Sequence, residues 1–189
     1  RRTRLAQQLE PDQMALVASE PPAPTRMRYR QDSHFMYLTG VEAPNALLVV
    51  LPMDSPTGER EILFLRPQSR ISQIFEGRTF QPDKETELAT GIRSVRPMAE
   101  LQAFLETALQ HHPRVLMNRH ARTGYADTLR QIRPEVEPLS IERAMAELRL
   151  IKSPAEQRLI RKAIQATIEA HRNLARAIKP GVYEYEIEA

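Results

Sequence analysis

"NALLVVLPMDSPTGEREILFLRP", Asn45 to Pro67, decides the fold. Its two ends are apolar runs of strand length, joined by a turn cluster of Asp54, Ser55, Pro56 and Gly58. The first run is apolar throughout, so it reads as a strand covered on both faces rather than one with a wet side. The second reads as its hairpin partner. Pro52 and Pro67 close both runs, because proline has no N–H to give a ladder.

Upstream, "MALVAS" (Met14 to Ser19) is a further buried strand, and "EPPAPTR" after it is too proline-rich for helix. Downstream, "QSRISQIFEGR" is amphipathic and predicts a short helix ending at Gly77. Pro97 to His112 predicts a helix with Leu101, Phe104, Leu105 and Leu109 on one face. "PRVLMN" predicts a strand, "ADTLRQI" a helix, "VEPLS" a short strand and "ERAMAELRLI" a helix. Strands alternating with helices indicate an α/β domain to about Leu150.

A different pattern follows. Ser153 suits a helix N-cap, Pro154 the first helical position, and Glu156 completes a capping box. Ile160, Ile164, Ile168, His171 and Ile178 lie on one stripe until Pro180-Gly181 stops the helix. The organisation expected is a domain over residues 1–150 and the start of a second over 151–189.

The 189 residues carry 27 basic and 24 acidic side chains, a net charge of +3, with 41% hydrophobic residues. The charges are mixed along the chain, which describes a solvated surface rather than a nucleic-acid face. Cysteine is absent, so disulfides and thiolate chemistry are excluded. No apolar run approaches a membrane span. There is no initiator Met and no signal peptide, and "VYEYEIEA" starts a helix without a stop. The expectation is a cytoplasmic protein fragment, cut at both ends.

"MRYRQDSHFMYLTG", Met27 to Gly40, sets Asp32, Ser33 and His34 side by side. Those are the residue types of a nucleophilic triad, but triad members converge in space and sequence neighbours rarely do. No G-x-S-x-G elbow surrounds Ser33. Asp32 or Ser33 instead suits a helix N-cap, with Phe35 to Leu38 as buried turns ending at Gly40. The five histidines show no H-E-x-x-H or H-x-H spacing, so no metal site is expected in this chain. His111 and His112 end a helix, where imidazolium complements the dipole. His171 reads as a core or interface histidine. Arg26 and Arg28 read as solvated, with Tyr29 inward. Arg30 is open to a carboxylate, a phosphate or a second subunit.

"YRQDSHFMYLTGVEAPNALLVVLP", "IFEGR" and "ELRLIKSPAEQRLIRKA" together resemble the Xaa-Pro aminopeptidases, or aminopeptidase P family, and the related prolidases and creatinases. The Y-R-Q-x-S-x-F-x-Y-L-T-G pattern is specific to aminopeptidase P-like N-terminal domains; the R-L-x-K-S-P-x-E junction is shared more widely.

The resemblance implies an N-terminal domain with a mixed β-sheet flanked by helices, followed by the long first helix of a pita-bread catalytic domain. It implies hydrolysis of the bond between an N-terminal residue and proline, by two divalent metal ions, manganese as a rule, held by residues beyond this chain. The chain itself then has no catalytic residue, no metal ligand and no activity alone. It further implies a homo-oligomer, and an N-terminal domain that narrows the substrate entrance. Phe75, Arg78 and Arg30 are the entrance residues expected on that basis. Family members often carry an acidic residue before Y-R-Q; here that segment is basic. A prolidase acting on dipeptides, and a peptidase-like module that binds partner proteins, are the alternatives.

Overall fold

A computed structural model describes residues 1–23, 28–136 and 138–188, without the side chains of Phe75, Glu76 and Glu188. Arg26 lies outside the described residues. The strands are β1 (Gln13–Ala18), β2 (Leu47–Val50), β3 (Glu61–Leu65), β4 (Ser94–Pro97), β5 (Arg114–Met117) and β6 (Pro138–Ser140). They form one sheet in the order β4-β3-β2-β1-β5-β6. β2 is antiparallel to both its neighbours, and the other pairings are parallel. The sheet is therefore mixed, and β1, β3, β4, β5 and β6 all point their carboxyl ends at one edge. The Asn45–Pro67 hairpin forms as read, with Leu48 opposite Leu63 and Val49 opposite Ile62.

Side chains alternate between two cores, as the period of two in a strand requires. On one face Ala15, Val17, Leu48, Val50, Leu63 and Leu65 pack with α1 (Arg2–Ala6), α2 (Ser33–Thr39) and α7 (Glu142–Leu150). On the other, Leu16, Val49, Ile62, Phe64, Val115 and Met117 pack with α5 (Leu101–His111) and α6 (Arg119–Ile132). Phe64 meets Phe104 of α5 with ring centroids 5.5 Å apart. Each large side chain buried here stabilises by about 1.5–3 kcal/mol. β1 and β2 are buried along their whole length, which is why both read as unbroken apolar runs.

Three parts differ from the sequence reading. Helix α1, helix α4 (Lys84–Thr90) and strand β4 were not expected; α4 is capped by Asp83 and ends on left-handed Gly91. α6 starts at Arg119, seven residues before "ADTLRQI", because the Asn118 side chain accepts from the Ala121 N–H and caps it. His112 is not a solvated charge on a helix dipole. It is buried, with Nδ1 2.8 Å from the Pro11 carbonyl and Nε2 3.0 Å from Ser55 Oγ. Burial lowers its pKa, so it ties the turn before β1 to the β2–β3 turn as a neutral ring.

The chain divides into two compact units, Arg1–Leu148 and Arg149–Ala189. The second contains α8 (Pro154–Ala177) and α9 (Glu184–Glu188). Ser153 and Glu156 form the capping box read from sequence, with Pro154 in the first turn. Ile160, Ile164 and His171 on its stripe are exposed, since this small unit has no core of its own to cover them. Among the described residues no helix is long and apolar enough to cross a membrane.

Candidate functional site

Two loops leave the carboxyl edge of the sheet, one after β1 and one after β3. The loop after β1 runs into α2 and is held by Gln31. Its Oε1 accepts from the Glu20 N–H at 3.1 Å and the Asp32 N–H at 2.8 Å. Its Nε2 donates to the carbonyls of Val41 at 3.0 Å and Ala43 at 3.2 Å. One side chain thus joins the end of β1, the start of α2 and the segment leading to β2. Glutamine suits the position because its amide carries both acceptor and donor capacity.

Asp32, not Ser33, is the N-cap: its Oδ1 accepts from the N–H groups of His34 and Phe35. Gly40 ends α2 at φ 70°, a left-handed conformation that glycine adopts without Cβ strain. His34 Nε2 lies 2.8 Å from Glu142 Oε2. His120 Nε2 lies 2.9 Å from Glu20 Oε1 and 3.9 Å from Asp32 Oδ2. The Asp32-Ser33-His34 run is therefore an architectural feature. It caps a helix and pins loop and α2 to the neighbouring α7, while Glu20 and Asp32 meet the first turn of α6.

Arg28 and Arg30 are exposed, and Arg30 makes no hydrogen bond or ion pair to any described residue. Tyr29 between them is half-buried and donates to the Glu20 carbonyl at 3.4 Å. Burial pushes its pKa up to about 12.

The loop after β3 passes through Gln68 and carries α3 (Arg70–Glu76), capped by Ser69. Gly77 follows at φ 78°, ψ 168°, a region open to glycine. A second glutamine clamp fixes what comes next. Gln68 donates to the Gly77 carbonyl at 2.9 Å and accepts from the Thr79 N–H at 3.2 Å, while Gln81 Oε1 accepts from the Gln68 N–H at 2.8 Å. Arg78 Nη2 is thereby set 2.9 Å from Asp83 Oδ2 and 2.8 Å from Glu85 Oε2. The Thr86 N–H, and then Arg78, hold the Asp83 carboxyl below its ordinary range. Phe75 sits in the last turn of α3; its side chain lies outside the described residues.

The segment between α2 and β2 meets the stretch after α3 and helix α4 in a cleft of about 450 Å³ lined by Glu42, Arg78, Phe80, Glu85 and Ala89, among others. Its size is that of small-ligand sites in general. Arg78 is brought to this cleft, and Arg30 is not among its lining residues. Glu42 was missed by sequence reading. It is exposed, makes no ion pair to a described residue, and stands two residues past the "LTG" of the signature. Glu85 was missed with the helix that bears it. Among the described residues no three His, Asp or Glu are grouped to hold a metal ion.

Residues 1–117 match the family model for the aminopeptidase P N-terminal domain. The chain belongs to the aminopeptidase P family. Its relatives include the Xaa-Pro aminopeptidase of Haemophilus influenzae, 32% identical over 201 aligned residues, covering all of this chain and 44% of that protein. The Xaa-Pro aminopeptidase of Escherichia coli is 27% identical and is covered to 46%. The chain therefore spans under half the length of the curated relatives it matches. Escherichia coli aminopeptidase P, solved with the inhibitor Pro-Leu, superposes with a TM-score of 0.82 at 27% identity, over 99% of this chain and 46% of that one. The mixed sheet with flanking helices is the fold of the aminopeptidase P N-terminal domain, with α8 as the long helix after it.

Proposed function

We propose that this chain is the N-terminal part of a Xaa-Pro aminopeptidase, an enzyme that cleaves the bond between an N-terminal residue and proline. The observation that carries the reading is the cleft where Glu42, just past the signature, faces Arg78 of "IFEGR", in a chain whose full length aligns with proteins of that name.

In this reading residues 1–150 shape the entrance to the active site, and residues 151–189 open the catalytic domain. The Glu42 carboxylate faces a peptide's N-terminal ammonium, Phe80 and Ala89 give an apolar wall, and the clamped Arg78 sets the rim. Phe75 and Arg30 stand on the two loops that border this entrance. Hydrolysis needs a metal-activated water. The two divalent ions, manganese in this reading, would be held by residues other than these 189. We further propose that the protein is cytoplasmic, that it works as a homo-oligomer, and that this chain alone is inactive.

The test is an assay of the full-length protein with manganese, on a tripeptide and a dipeptide that each have proline second. Cleavage of the tripeptide is expected. Cleavage of the dipeptide alone would establish a prolidase, and cleavage of neither a binding module. Sedimentation of the 189-residue chain tests association; a strict monomer at high concentration removes the interface from this part of the protein.

A further inference from the structure

A larger cleft, of about 900 Å³, opens where β3 and β4 begin and is flanked by the start of α1 and the end of α2. It uses none of the entrance residues. Its charge balance is one-sided. Arginines 1, 2, 60 and 93 line it, against Glu59 and Glu61. Both carboxylates are already engaged. Glu61 takes the Arg2 guanidinium at 2.5 Å. Glu59 takes Arg96 at 2.6 Å and the Ser94 hydroxyl at 3.0 Å.

Arg2 is further spent on the carbonyls of Leu38, Thr90 and Gly91. Arg60 and Arg93 are exposed, and their side chains make no hydrogen bond or ion pair to any described residue. They stand just ahead of neighbouring strands: Ile62 pairs with Ser94, Arg93 directly precedes Ser94, and Arg60 precedes Ile62 by two residues. The cleft is thus lined by two arginines whose side chains meet no counter-charge among the described residues. A concave surface of one sign concentrates counter-ions. Guanidinium forks match the paired oxygens of an oxyanion.

We infer that this cleft binds a small multivalent phosphate, held by Arg60 and Arg93. Two forks favour a ligand with two charged tetrahedral groups over a single monovalent anion, and the volume accommodates one.

The experiment is calorimetric titration of the chain with inorganic pyrophosphate at low ionic strength. Saturable binding is expected, weakened about tenfold by R60Q or by R93Q, and abolished in the double variant. R119Q, an exposed arginine outside the cleft, should bind as the parent chain does. All three side chains are at the surface, so thermal melting without ligand should be unchanged; this separates lost binding from lost folding. Equal binding by the double variant would overturn the inference, as would heats reproduced by sodium chloride at matched ionic strength. Equal affinity for citrate would overturn the assignment to phosphate.

Discussion

The side chain of Asn118 pairs with the backbone of Ala18 as a strand residue would. Its Oδ1 accepts from the Ala18 N–H at 2.9 Å, and its Nδ2 donates to the Ala18 carbonyl at 2.8 Å. The same Oδ1 accepts from the Ala121 N–H at 3.1 Å, so one buried amide extends the β1–β5 pairing and starts α6. Asn118→Ala leaves three buried backbone groups without partners. An unsatisfied buried group costs about 1–3 kcal/mol, so a loss of roughly 3 kcal/mol is expected in denaturant unfolding. Asn118→Asp keeps the acceptor but turns a carboxylate on the Ala18 carbonyl, and should recover little of that loss.

Gln31 makes a second prediction. Gln31→Ala removes four hydrogen bonds at a part-buried position. Each is worth about 1 kcal/mol net, reduced here by water that reaches the loop. A destabilisation of about 2 kcal/mol is expected, with faster hydrogen exchange at the Glu20 and Asp32 amides and little change in α5. Gln31→Glu retains the two accepted bonds and sets a carboxylate against two carbonyls. It should protect those two amides while still lowering the melting temperature.

His112 predicts a pH dependence. Burial, with the neighbouring charge of His111, lowers its pKa in the folded chain from 6.5; the Pro11 carbonyl and Asp12 oppose this. The folded state therefore favours the neutral ring. Its contribution is fully present above pH 6.5 and is lost as pH falls through 6.5 towards the lowered value, below which the cost is constant. Unfolding free energy should fall on going from neutral pH into that window. His112→Gln should be less stable at neutral pH and show a flatter profile; a parallel profile would mean that another group titrates.

Gly77 predicts an effect on the entrance. At φ 78° and ψ 168° a Cβ is strained, at a cost of about 1–3 kcal/mol. Space is not the obstacle, since nothing lies within 4 Å of an added Cβ. Gly77→Ala should therefore loosen residues 77–81 and Arg78 while the two cores remain intact. With the proposed function, KM of the full-length protein for a proline-second tripeptide should rise more than kcat falls. An unchanged KM would remove Arg78 from the rim.

Reading the sequence succeeded where one element announces itself. β2 and β3 carry unbroken apolar runs around a turn, and α8 carries its own capping box. It failed where an element has little to bury. α4 buries only Thr86, and every residue of β4 is half-buried, so neither shows a period. The first half of α6 is basic and contains Gly124, which hid it behind a correctly placed strand. Long-range roles were the least legible. Asn118 acts on a residue 100 positions away and His112 on one 101 away. Gln31 stood in the signature as a letter; its four bonds exist because three backbone segments converge on it. Glu42 had no pattern to mark it, because its place in a cleft depends on a loop some 35 residues downstream.

β1 lies in the middle of the sheet with all six residues buried, and its neighbours are β2 and β5. The first follows it by some 30 residues, the second by about 100. During synthesis β1, β2 and β3 can assemble early, but one flank of β1 stays open until Arg114–Met117 has left the ribosome. An open apolar edge is a template for pairing with other chains. The nascent protein thus passes through an interval in which it is vulnerable to aggregation, and chaperone demand should peak in that interval. A truncation ending before Arg114 would never leave it.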